Sequence, residues 1–219
     1  MEIKQKDRDE LNRLVSALLG KAISAYFDSF VYLVSYDPKT NKNREAFVFK
    51  YSFYAIQERL IIATKKLIEP AKPDKITMFS IGKIVEQPDF CDDPNDKKGI
   101  KHIYTDRLQK LFKSEYATRL KYMRNILCHN LRKKSETGCY CKDFMNVLTE
   151  CLNILLDVRE QILSLNDIDL QKIKDLAFKL AQDYWGCINA GANKTLITQA
   201  DLQLADSFMG NVSTKSTNV

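Results

Sequence analysis

An all-α fold is what this 219-residue sequence predicts. Three observations carry that expectation. Apolar residues return at gaps of three and four along most of the chain, which gathers them on one side of a helix. Helix breakers are scarce, with 7 glycines and 5 prolines, so elements should run long. No stretch alternates apolar and polar residues strongly enough to read as a strand; the β-prone residues from Phe47 to Phe53 sit inside a helical pattern. A hydrophobic content of 45% supplies a core and excludes a disordered chain, and the length suits one domain with or without an appendage.

The first helix is expected from Glu10 to about Ser35, with Leu11, Leu14, Val15, Leu18, Leu19, Ala22, Tyr26, Phe30 and Val34 on its apolar side. The width of that stripe implies more than one packing neighbour. A polar turn at Asp37–Asn43 leads to a second helix from about Arg44 to Glu69, stopped by Pro70 and Pro73. A short helix fits Met78 to Val85, and Gln87 to Gly99 reads as a polar loop. A third long helix starts near His102 and carries Leu108, Leu111, Phe112, Tyr116, Leu120 and Met123. After a break at Ser135–Gly138, a fourth covers about Lys142 to Leu165. Asn166 or Asp167 is placed to cap a further helix through Tyr184, which Gly186 would end. The aromatic stripe of Tyr26, Phe27, Phe30, Tyr51 and Tyr54 reads as core, and Trp185 with Tyr184 as a packing anchor.

The expected organisation is a helical domain over residues 1–188 and a C-terminal tail over 189–219, rich in Asn, Ser, Thr, Gly and Ala, weakly structured apart from one short helix at Leu196–Met209. The charged N-terminus has no secretion core, and no apolar run approaches the roughly 20 residues of a membrane span. A soluble, cytoplasmic protein without membrane contact is expected. The cysteines, Cys91, Cys128, Cys139, Cys141, Cys151 and Cys187, then read as free thiols. With only two histidines and no Cys-x-x-Cys pair, neither a metal nor another cofactor is expected.

One segment stands out: Arg119-Leu-Lys121-Tyr122-Met-Arg124-Asn125-Ile-Leu-Cys128-His129-Asn130-Leu131-Arg132-Lys133-Lys134. Its Arg-Asn-x-x-x-His pattern resembles the Arg-x(4–6)-His motif of the HEPN superfamily, including a polar residue directly after the arginine. Among its branches the chain looks most like the HEPN-like domains of phage abortive-infection proteins, and the likeness spans residues 10 to 185. The resemblance implies a bundle of four to six helices that forms a homodimer, with two motifs meeting in one composite site. It implies metal-independent RNA cleavage in which the 2′-hydroxyl attacks the phosphate and leaves a 2′,3′-cyclic end. Carried onto this sequence, His129 would be the general acid/base, Arg124 would bind the scissile phosphate, and Asn125 would orient one or the other. A toxin-like or antiviral defence role, structured RNA such as tRNA as substrate, and an antitoxin or defence-system partner follow from the same resemblance. The tyrosine that antitoxin-paired branches often carry two residues after the histidine is Leu131 here, which weakens that mechanism.

The residue chemistry points the same way by itself. Histidine exchanges a proton near neutral pH. Arginine stays charged and offers phosphate a planar fork. Arg119, Lys121, Arg132, Lys133 and Lys134 would hold the flanking RNA backbone, Tyr122 would stack on a base, and Asn130 would add a polar contact. No acid occurs between Tyr116 and Ser135, which suits an anion. Arg124 and His129 are five apart, about 140° on an ideal helix. Either the helix loosens between them or a second chain completes the site. Two other readings stay open: a non-catalytic RNA-binding or scaffold module, and a helical interaction domain with no nucleic-acid role, in which His129 and the lysines are simply the basic last turn of a helix. The net charge of +6 does not separate these.

Overall fold

The computed structural model of the chain describes residues 3–38, 47–70, 75–129 and 141–192, with the backbone alone at 47, 125–129, 191 and 192. Its elements are α1 (Gln5–Val34), α2 (Phe47–Leu67), α3 (Met78–Val85), α4 (Pro94–Ile100), α5 (Arg107–Phe112), α6 (Glu115–His129), α7 (Cys141–Asp157) and α8 (Leu170–Ala192). Among the described residues there is no strand. The fold is an all-α bundle.

At its centre lies α1, packed against α2, α3, α7 and α8. By length and composition alone α1 could span a bilayer. That departs from the sequence expectation that no apolar run comes close. Its apolar residues are nonetheless committed to the core: Leu11, Val15, Leu18 and Ala22 are fully buried. Most of the buried side chains of α7, including Phe144, Val147, Leu148, Leu152 and Leu155, are also at zero exposure. The buried face of α1 is thus the inner face of the bundle.

Several element ends differ from expectation. The loop read from Gln87 to Gly99 contains α4, started by Asp93, whose carboxylate accepts from the Asn95 N–H at 2.7 Å, with Pro94 at the first helical position. A π-helical segment, Lys101–Asp106, joins α4 to α5, so this rod begins before His102. The long third helix is broken at Ser114, whose hydroxyl accepts from the Ala117 N–H at 3.2 Å and caps α6. A second π segment, Val158–Ile162, extends α7. It ends at Ser164, which takes φ 59° and lets the Leu165 N–H reach the Arg159 carbonyl at 2.9 Å.

Asp169, rather than Asn166 or Asp167, caps α8 by accepting from the N–H of Gln171 at 2.8 Å. The helix runs through Gly186 to Ala192, across the boundary expected at 188/189. Gly186 lies on the exposed side with no neighbour within reach of a Cβ, so its lack of a side chain leaves no hole to end the helix. Trp185 is the anchor expected. It is buried, donates its indole N–H to the Val31 carbonyl at 2.6 Å and packs on Phe49 at 4.5 Å between centroids. The aromatic stripe divides: Tyr26 and Phe30 are core, Phe27 is half-buried, while Tyr51 and Tyr54 are 66% and 64% exposed. The stretch 193–219, including the short helix expected at Leu196–Met209, lies outside the described residues.

Candidate functional site

Helix α6 carries the motif, and two arginines on it have different surroundings. Arg119 Nε donates to Asp143 Oδ2 at 3.0 Å and Nη2 to Asp143 Oδ1 at 2.6 Å, a two-pronged pair. Asp143 is fully buried on the first turn of α7. Glu115, one turn back on α6, also accepts from Arg119. These carboxylates raise the Arg119 pKa, and the guanidinium lies over the Tyr116 ring at 5.4 Å. The RNA-backbone role expected for Arg119 does not fit this geometry: its fork is used in pinning α6 to α7.

Arg124 is partly exposed, at 37%, and faces the end of α2. Its Nη2 is 4.0 Å from Glu69 Oε1, outside hydrogen-bond range. Glu69 Oε2 is 3.9 Å from the Nζ of Lys75. Lys65, one turn before Glu69, is buried, with its Nζ 5.9 Å from the Phe112 ring centroid. Burial pushes the Lys65 amine below the ordinary lysine range; Glu69 opposes that shift, and the charges of Lys121 and Arg124 add to it. Glu69 thus faces Lys75 and Arg124, and Lys65 feels the charges of Glu69, Lys121 and Arg124. Both ion pairs to Glu69 are loose. A phosphate entering here would meet several cations and one weakly engaged carboxylate.

Sequence reading missed Lys65, Glu69 and Lys75. They come from α2 and the segment before α3, and only the packing of α2 on α6 brings them to the motif. The acid-free stretch from Tyr116 to Ser135 is acid-free only along the chain. In space Asp143 and Glu69 stand beside its arginines.

Of the remaining predicted residues, Lys121 is exposed and Tyr122 half-buried. The backbone at Asn125 and His129 is helical, and α6 continues unbroken from Arg124 to His129. The helix does not loosen between the two positions, which stay about 140° apart in register. The side chains of Asn125 and His129, and all of Asn130, Arg132, Lys133 and Lys134, lie outside the described residues. So do Cys128 as a side chain and Cys139 altogether.

Burial pushes the thiols up, Cys141 to about 11 and Cys151 to about 12. Neither is a thiolate nucleophile at neutral pH. Among the described residues, no three His, Cys, Asp or Glu side chains come together in a way that could hold a metal ion.

The fold defines an all-α protein in which basic side chains of α2 and α6 lie near Glu69 at one helix–helix seam. No family model, curated protein or solved structure matches the chain, so its reading rests on these residues.

Proposed function

We propose that the chain is a HEPN-type, metal-independent endoribonuclease that works as a homodimer. The observation that carries this reading is Arg124 and Lys75 standing 4.0 and 3.9 Å from the Glu69 carboxylate, with Lys65 within electrostatic reach of Glu69, Lys121 and Arg124. Such a cluster suits a phosphodiester better than it suits stability. The unbroken helix through His129 adds a constraint. Positions about 140° apart on one helix favour a second copy as the source of the missing partner.

In the reaction, a His129 imidazole takes the proton of a ribose 2′-hydroxyl, whose oxygen attacks the adjacent phosphorus. The bond from phosphorus to the 5′-oxygen breaks. That oxygen leaves with a proton from an imidazolium, and a 2′,3′-cyclic phosphate remains. Arg124 offsets the charge that builds on the phosphoryl oxygens, and Asn125 orients the histidine or the phosphate. Lys121, with Arg132, Lys133, Lys134 and Asn130, holds the flanking strand, and Tyr122 offers a base a ring face. The setting is cytoplasmic. A toxin-like or phage-defence role, a structured RNA such as tRNA, and an antitoxin or defence partner belong to the same proposal.

The test is incubation of purified wild-type and His129→Ala protein with total RNA in EDTA, followed by analysis of the 3′ ends. Cleavage by wild type alone, leaving cyclic phosphates, is expected. Equal cleavage by both proteins would refute the assignment of His129. A second reading, RNA binding without cleavage, is favoured by the same cations, which need no histidine to hold a backbone. Salt-dependent binding with no products would select it.

A further inference from the structure

Away from the motif, α1 and α2 leave an open groove of about 850 Å³ between them. On α1 its lining runs from Ser16 to Asp28, about 18 Å at 1.5 Å per residue. The floor is small or apolar, with Ala17, Gly20, Ile62, Ala63 and Leu67. A Cβ built at Gly20 would meet nothing within 4 Å, so the floor is open where a neighbour would come closest. Lys21 and Lys66 stand among the lining residues. Its acid, Asp28, is already paired with Arg59. The lining therefore holds three cations and one neutralised carboxylate.

We infer that this groove receives an amphipathic helix of a partner protein, one whose apolar side is edged by Asp and Glu. Length, shape and charge favour that occupant together. Three turns of helix fit the 18 Å, small residues at the floor let two backbones approach, and the lysines would meet acids on its edges. A helix laid between α1 and α2 would cover apolar surface that the bundle leaves bare. The groove is lined by residues of α1, α2 and Ile76; Lys66 and Ile76 follow Lys65 and Lys75 in the chain, but none lies on α6, and peptide binding is read without RNA cleavage.

Two synthetic helical peptides of about 12 residues test it, with one shared Leu/Ala face and either Glu or Lys along its edges. Binding to the full chain is read by fluorescence anisotropy. The Glu peptide should bind at least about tenfold tighter than the Lys peptide. Gly20→Phe should weaken it about tenfold or more while the thermal midpoint holds, because the space for the ring is open. The double variant Lys21→Glu, Lys66→Glu should reverse the preference, which a merely misfolded chain would not do. Equal binding of both peptides, binding unmoved by either variant, or no binding of the Glu peptide would each overturn the proposal. So would tight binding of decanoate without peptide binding, which marks a small-amphiphile site. A Gly20→Phe shift from dimer to monomer without peptide binding would instead assign the groove to a second copy and overturn it as well.

Discussion

Arg119 and Arg124 sit five residues apart on α6 and share its charge pattern, yet the fold uses them differently. Arg119 is 14% exposed and grips a fully buried aspartate with two hydrogen bonds. Arg124 is 37% exposed, and its recognised acid stands 4.0 Å away. An arginine that a protein needs for its architecture has its fork filled. One that it keeps for a ligand stands near other cations, with its fork loosely engaged. The sequence does not separate these two, because the deciding groups lie 24 residues downstream at Asp143 and 55 residues upstream at Glu69.

The contrast can be broken by substitution, and the largest expected effect is catalytic. Arg124→Ala should lower RNA cleavage by about 10²–10³-fold, since it removes charge stabilisation at the phosphate. Its thermal midpoint should stay close to wild type. An equal loss of stability would place Arg124 in the same class as Arg119.

Next comes Asp143→Ala, which leaves the Arg119 fork facing a cavity. A fall in thermal midpoint of roughly 10 °C is expected. Differential scanning fluorimetry reads it, and an unchanged midpoint would show that the α6–α7 pin is dispensable.

Lys65→Met separates stability from function. A buried amine beside Lys121 and Arg124 destabilises the free chain, so the variant should melt about 2–4 °C higher at pH 7. The same change should weaken RNA binding at low salt through lost long-range attraction, with the slope of log K against log salt changing by less than the roughly 0.7 of a direct phosphate contact. The sign with pH follows from the lowered Lys65 pKa. At neutral pH folded and unfolded chains both hold the proton, and the penalty is fully present. As pH rises through the lowered folded value, the folded chain sheds the proton first and the penalty is relieved. The gap in midpoint between variant and wild type should therefore narrow toward high pH.

The smallest effect belongs to Glu69→Gln. Removing the acid that stands between Arg124 and Lys75 should tighten RNA binding a few-fold at low salt, with the gain fading as salt is raised. Weaker binding would mean that Glu69 positions Arg124 rather than competing with RNA.

Much of the bundle was legible because burial writes a period into the sequence. The stripe of α1 and the limits of α3 followed from apolar spacing and prolines. Three features were hidden for physical reasons. The α5–α6 break rests on one serine hydroxyl at Ser114 inside a stripe that continues across it. In α4, a helix of charged residues buries only Ile100 and so shows no periodicity. Gly186 is a breaker by propensity, but the packing of Trp185 carries α8 through it. For the site, the residues on α6 were visible as a motif. Lys65, Glu69 and Lys75 were not, because no local spacing connects them to Arg124. The stripe also placed Tyr51 and Tyr54 in the core, where a helix with a wide apolar face in fact leaves two rings outside.

In the proposed dimer Arg124 and His129, held about 140° apart on one unbroken helix, act across two chains, and this pairing is open to direct test. It is tested most directly by mixing two inactive proteins, Arg124→Ala and His129→Ala, under conditions that let protomers exchange. Each mixed dimer would keep one intact Arg124 and one intact His129 on opposite chains. Cleavage should return on mixing, to a fraction of the wild-type rate, while each variant alone stays silent. If both variants are silent alone and dimers exchange, but no cleavage returns, then the composite site is wrong.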